Sequence, residues 1–226
     1  MPTADPWLMS GLVLLLTAAA IAFMARTAIG RVLRRWRLSR AARRSGQRFV
    51  ARPGWRDKYE QFLPGRGDAH RMVANVIFGR RSSINFELFD YRYTFKNPLT
   101  GRRVIHRTGV AAARLELLLP RLDIRPTDCA SGSSAPNLAP PALAQRYQIT
   151  AANAQTARAL LSDQVINLLL GAPPLTWQID GGVILLTRSS PFAASEIPAI
   201  GDLLERFLAT IPPEIARSAS WRRYDA

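Results

Sequence analysis

The sequence predicts an α+β protein: an N-terminal transmembrane helix, then one domain with a mainly antiparallel sheet and two packed amphipathic helices. Three observations predict it. Trp7 to Met24 form an apolar run without a single charge. Strand-like segments separated by turn chemistry fill residues 72–124. Two later stretches, 153–170 and 197–208, keep apolar residues at the i, i+3, i+4 spacing of a helix that buries one side.

The apolar run comes first. Eighteen residues at 1.5 Å rise reach roughly 27 Å, close to the ~30 Å hydrocarbon core of a bilayer. Met1 to Pro6 carry Asp5 and no Lys or Arg, the reverse of a secretory leader, so an uncleaved span is expected. Ten arginines and no acidic residue stand between Arg26 and Arg52. That asymmetry places the N-terminus outside and everything after Arg26 in the cytoplasm, giving a single-pass protein of the cell membrane. Past the span, Ile29, Leu33 and Trp36 recur at helical spacing with arginines between them. The helix is therefore expected to continue, with Arg31, Arg34, Arg35, Trp36 and Arg37 on the membrane surface. Each arginine near anionic headgroups is worth about 1 kcal/mol. The chain then divides into an extracytoplasmic tail (1–6), a span (7–25), an arginine-rich juxtamembrane segment (26–52), a linker (53–68), a cytoplasmic domain (69–213) and a tail (214–226).

In the linker, Trp55, Tyr59 and Phe62 are aromatics placed to dock on the domain. Arg66-Gly67-Asp68 spells an adhesion tripeptide, which is coincidence on the cytoplasmic side. Met72–Phe78 reads as a first strand and Gly79–Ser83 as a turn. In Ile84–Phe95 the apolar parity changes: Ile84, Phe86 and Leu88 share one face, and Phe89, Tyr91, Tyr93 and Phe95 the other. Such a strand is covered on both faces in different halves or carries a bulge near Leu88–Asp90. Asn97–Gly101 supplies a turn, and Arg103–Ala112 returns as the hairpin partner. Leu115–Asp128 holds two apolar pieces around Pro120, with Leu122–Ile124 as a further strand. Residues 129–141 form a Ser/Gly/Pro/Ala loop without periodicity, expected to be mobile. Arg146–Thr150 is a short strand and Asn153–Leu170 an amphipathic helix. Asp180-Gly181-Gly182 between two apolar runs signals a hairpin. Ile197–Leu208 is the second amphipathic helix, ended by Pro212-Pro213.

Composition narrows the function classes. The chain has 226 residues, 48% hydrophobic and 21% charged, which suits one domain plus one span. A net charge of +15 raises nucleic acid as a partner. Most of that excess lies beside the span, so the bilayer and its anionic headgroups outrank nucleic acid. Lys58 and Lys96 are the only lysines; with the alanine and proline load, this is the composition of a GC-rich genome such as an actinobacterial one. Cys129 has no partner for an intramolecular disulfide. With His70 and His106 it falls short of the four ligands of structural zinc, so no metal is expected. Nucleophile-elbow, phosphate-loop and dinucleotide fingerprints are missing, and no cofactor is expected. The one polar cluster that invites chemistry is Asp90, Arg92 and His106 on the paired strands, with Glu87 nearby. The alternative is an Asp90–Arg92 pair on a sheet face with Tyr91 and Tyr93 in the core.

The order of a span, an arginine collar, Ala-Asn-Val-x-x-Gly (Ala74–Gly79), Phe-Asp-Tyr-x-Tyr (Phe89–Tyr93) and Trp177-Gln-Ile-Asp-Gly-Gly182 resembles a group of uncharacterised actinobacterial single-span membrane proteins. The resemblance covers residues 71–205 and implies architecture; the group has no assigned activity. The layout is also similar, more loosely, to the mycobacterial trehalose monomycolate transport accessory factor, with one span and a cytoplasmic α+β domain. Together these readings lead to the expectation of a non-enzymatic, membrane-anchored domain that scaffolds or regulates a cell-envelope assembly, with another membrane protein as partner. The alternatives are a small-ligand or lipid-binding accessory domain for envelope lipid export, then an enzyme with a site near Asp90 and His106.

Overall fold

Strand β3 (Ile84–Lys96) runs without a break and is covered on both faces. Ile84, Phe86 and Leu88 enter one apolar core, and Phe89 and Tyr91 enter a second on the opposite face. The parity change is thus resolved by two-sided burial, while the bulge falls in the neighbouring strand, between Ala74 and Ile77. The computed structural model describes residues 6–53, 59–64, 70–82, 84–97, 100–129 and 136–212. Residues 1–5, Trp55, the Arg66–Asp68 tripeptide, residues 130–135 of the expected mobile loop and the tail 214–226 lie outside the described residues, as does the side chain of Trp7.

Six strands among the described residues form one antiparallel sheet. They are β1 (Arg48–Val50), β2 (His70–Arg81), β3, β4 (Arg103–Pro126), β5 (Tyr147–Ala151) and β6 (Thr176–Arg188). The first four lie side by side in chain order. The long β4 then forks the sheet. Its first half lies between β3 and β6, and its second half between β5 and β6. The register against β6 shifts twice between Arg114 and Leu122. Pro120, which has no N–H to give a ladder, sits in that irregular stretch. What reads as two apolar pieces around a proline is therefore one strand.

Three further expectations are corrected. Asp180-Gly181-Gly182 makes no hairpin: the residues on either side both pair with β4, and Gly181, at φ +55°, sits in an irregularity opposite Leu119. A left-handed glycine serves a bulge as readily as a tight turn, and here it serves the irregularity in the ladder. Asn153–Leu170 is not one helix but two, α3 (Ala154–Leu160) and α4 (Asp163–Gly171). Ser162, in an extended conformation at φ −60°, ψ 162°, starts the second, and Asp163 stands in its positively polarised first turn. Strand β2 also runs on through the expected turn, to Arg81.

The helices α1 (Pro6–Arg44), the short α2 (Pro141–Ala144), α3, α4 and α5 (Ile197–Ala209), with 3-10 turns at Thr127–Cys129 and Ala194–Glu196, complete the described elements. The larger core is built on one sheet face from Phe86, Ile124, Ile149 and Trp177 with Leu160, Val165, Leu169, Leu204 and Phe207 of the helices. Trp177 and Phe207 touch with ring centroids 5.0 Å apart. Leu38 and Ala42 of α1 belong to this core, 3% and 0% exposed. The opposite face is closed by the segment around Tyr59 and Leu63, which packs on Val73, Phe89, Tyr91 and Leu185. Leu38 and Ala42 of the arginine-rich segment and the linker aromatics Tyr59 and Phe62 are therefore parts of the domain's packing.

Candidate functional site

The site is the junction where α1 meets the sheet. Helix α1 passes unbroken from the apolar run into the arginine-rich stretch. The 30 residues Leu15–Arg44 are long and apolar enough to cross a membrane, and their most apolar 18-residue window is unburied. Lower down, the side carrying Arg34, Leu38 and Ala42 turns to the sheet, while Trp36, Arg37 and Arg40 face away.

Arg34 docks on a row that crosses four strands: Ala74, Asp90, Gly109 and Arg188 are aligned neighbours. Its Nε donates to Asp90 Oδ2 at 3.0 Å and its Nη2 to Asp90 Oδ1 at 2.7 Å. The same Nη2 donates to the Phe192 carbonyl at 3.0 Å. Asn75, at φ +54° on the β2 bulge, donates through Nδ2 to Asp90 Oδ2 at 2.7 Å. A bidentate guanidinium–carboxylate pair fixes orientation as well as charge. Asp90 is the residue at which this sheet face passes from apolar (Ile84, Phe86, Leu88) to polar (Arg92, Thr94), and α1 crosses there.

The Phe192 carbonyl is held in place by a second clamp. Arg188 donates to both Glu196 oxygens at 2.6 and 2.7 Å, to the Ser190 carbonyl at 3.0 Å and to the Pro191 carbonyl at 2.9 Å. Its guanidinium also lies 4.5 Å from the Phe192 ring centre. The Arg188 hydrogen bonds hold the Glu196 carboxyl below the usual carboxylate range, against the opposing effect of burial; the Ala193 N–H and the charges of Arg188 and Arg34 add to the lowering. Gly109 makes room: a Cβ there would come within 2.6 Å of the Ser190 oxygen and 3.0 Å of Phe192.

Asp90, Arg92 and His106 do not converge. Asp90 and Arg92 share the face turned to α1, but Arg92 points to Met72 Sδ, 3.6 Å away, and Asp90 to Arg34. The expected Asp90–Arg92 pair is replaced by the long-range one. His106, aligned with Tyr93, lies on the opposite face, stacked 5.0 Å from Tyr93 and 5.2 Å from Phe95. One reaction centre cannot use both Asp90 and His106 across a sheet. Of the residues expected at the membrane surface, Arg31, Trp36 and Arg37 are exposed, Arg35 is half-buried, and Arg34 is taken by Asp90. No group of three or more His, Cys, Asp or Glu side chains able to hold a metal occurs among the described residues.

Beyond Leu63, the His106 face opens into a groove of about 1030 Å³, lined by Phe62, Leu63, Tyr93 and Leu175 with Arg125, Thr176 and Gln178 among its polar groups. Tyr91 lies beneath, 1% exposed, its hydroxyl donating to the Pro64 carbonyl at 2.6 Å. Burial raises its pKa to about 12, with Arg71 opposing and Tyr93 and Glu60 adding to the rise.

Sequence reasoning missed Arg34 as a docking residue, Asn75, Gly109 and the Arg188–Glu196 clamp. One signal was present: Asp90 is the one acid in the aromatic stretch Phe89–Phe95, and such a carboxylate needs a cation to pair with.

No protein-family model and no curated protein matches the sequence, so the resemblance read from Ala74–Gly79 and Phe89–Tyr93 gains no support there. The fold is similar to the crystal structure of the mycobacterial trehalose monomycolate transport factor A, TtfA, at a TM-score of 0.57 and 13% sequence identity. The alignment covers 81% of this chain and 97% of that one.

Proposed function

We propose that the chain is a non-enzymatic, single-span accessory protein of the cell membrane whose cytoplasmic domain scaffolds a cell-envelope lipid-transport assembly. The N-terminus lies outside, residues 7–25 span the bilayer, and the folded unit begins near Arg34. The observation that carries this reading is the continuity of α1: the apolar run and the Asp90 clamp sit on one helix with no break between them. A domain fixed to its span presents the same faces to any neighbour in the bilayer, and tethering raises its effective concentration there. The shared fold with a transport factor supports the lipid-export side of the reading.

Affinity purification of the full chain from its native membrane in mild detergent tests it. A stoichiometric membrane-protein partner is expected, lost on charge reversal of exposed domain patches that leave folding intact. Recovery of the chain alone, with cellular function intact, overturns the reading. The orientation is checked by a reporter active only outside the cytoplasm, which should stay silent when fused after Ala226. The groove beside Phe62 and Leu63 favours a second reading, the binding of an amphiphilic lipid. In that case, lipid extracted from the purified full chain should be reduced by Phe62→Arg, which leaves the buried Leu63 in place.

A further inference from the structure

The junction also fixes which way the sheet points. The turn after Arg44 leads into β1, whose Arg48 lies beside Phe78, itself paired with Glu87. Ala51 accepts from the N–H of Asn75, at the Asp90 level. The ten residues from Arg44 up to Arg34, about 15 Å of helix, therefore climb alongside β3 from near Glu87 to Asp90. Continued in that sense, the β3–β4 hairpin end points the same way as the apolar half of α1.

Scale decides whether it reaches. Arg34 lies eight helical residues, about 12 Å, below Arg26, and Lys96 lies six strand residues, about 20 Å, beyond Asp90. The hairpin end thus attains the level of Arg26 at any strand inclination up to about 50° from the helix axis. Its chemistry suits that position. Between Tyr91 and Thr108 the chain carries Arg92, Lys96, Arg102, Arg103 and Arg107 and no acidic residue. Ile105, 56% exposed, and Met72, 44% exposed, are apolar side chains on the same face. Five cations with no acidic residue between them in the chain, flanking exposed apolar groups, match an anionic headgroup layer, where charge and shallow apolar insertion add.

We infer that the β3–β4 hairpin end is a second membrane contact, docking on anionic headgroups beside the span so that the protein meets the bilayer at two points. This rests on the reading of α1 as a span. The full chain, carrying Cys129→Ser and a fluorophore at Thr100→Cys, is reconstituted in nanodiscs of phosphatidylcholine with or without phosphatidylglycerol. A quencher placed at headgroup depth reports docking, and a second label at Phe23→Cys reports the span. Strong quenching at position 100 is expected only with phosphatidylglycerol, suppressed by high salt. Reversing Lys96, Arg102 and Arg103 to Glu should shift the docked-to-undocked ratio by at least roughly 100-fold.

Absence of quenching at position 100 in both lipids, while position 23 remains inside the bilayer, overturns the second contact and leaves the span standing; equally strong quenching in both overturns docking on anionic headgroups. A label at position 23 that stays in water overturns the span instead. Quenching that appears only when the co-purified membrane protein is added assigns the hairpin to a protein partner and likewise overturns the lipid contact.

Discussion

Arg34 and Asp90, 56 residues apart in the chain, meet in a two-pronged ion pair that joins the membrane-proximal helix to the centre of the sheet. Both side chains are largely withdrawn from water, at 31% and 20% exposure. Removing Asp90 strands Arg34 together with the Asn75 amide, whereas removing Arg34 leaves Asp90 with Asn75 alone. Asp90→Ala is expected to lower stability by about 1–3 kcal/mol. In a double-mutant cycle with Arg34→Ala, chemical denaturation in detergent should return a coupling of about 1–2 kcal/mol. Additive losses would show that the two side chains stabilise the domain independently and not as a pair.

Gly109 is expected to tolerate no side chain. Gly109→Ala forces the 190–192 segment away from β4 and carries the Phe192 carbonyl off Arg34, an overpacking cost of about 1–3 kcal/mol. Ala111→Gly, two residues along on the same face, provides a comparison without the clash. Thermal unfolding separates them: the Gly109 variant should couple to Arg34→Ala, and the Ala111 variant should not.

Tyr91 sets an alkaline limit. Its folded pKa is raised to about 12 from 10.0, so the neutral phenol stabilises the fold fully below pH 10. That stabilisation is lost as pH climbs from 10 to about 12, because the unfolded chain ionises first. The full effect of two units is at most about 3 kcal/mol. Tyr91→Phe should flatten this part of the stability–pH curve, and its lost hydrogen bond to Pro64 should cost about 1 kcal/mol at neutral pH. Tyr93 and Tyr147, also raised by burial, leave a residual slope.

Glu196 acts at the other end of the scale. Its folded pKa is depressed by Arg188, so its contribution is present above the ordinary carboxylate pKa and is lost as pH falls through the lowered value. Glu196→Gln should remove that acid-side slope. An unchanged slope in the variant would assign acid sensitivity to other carboxylates. Arg188→Lys should keep part of the slope, since a lysine retains the charge but not the paired geometry.

Local patterns in the sequence revealed β3, the β3–β4 turn and α5 because each is written in contiguous residues. The turn at Asn97 is closed by the Gly101 N–H, as the Asn/Gly chemistry implies. What local pattern could not decide was partnership. Asp180-Gly-Gly182 suits a hairpin or a bulge, and only the presence of β4 along both flanks selects the bulge. Asn153–Leu170 keeps one apolar periodicity through Leu161–Ser162, so the break between α3 and α4 leaves that pattern unmarked. Arg34 looked like its neighbours Arg31 and Arg37, because nothing nearby in the chain shows that an aspartate 56 positions on will claim it.

The unbroken course of α1 from the apolar run to the clamp makes residue count an angular setting. One alanine inserted between Arg26 and Arg34 turns everything below it by about 100° and lowers it only 1.5 Å, whereas seven inserted residues return nearly the original heading some 10 Å farther down. A merely leashed domain would be indifferent to the first change. One that must present a particular side to a neighbour would fail with one added residue and regain its heading with seven.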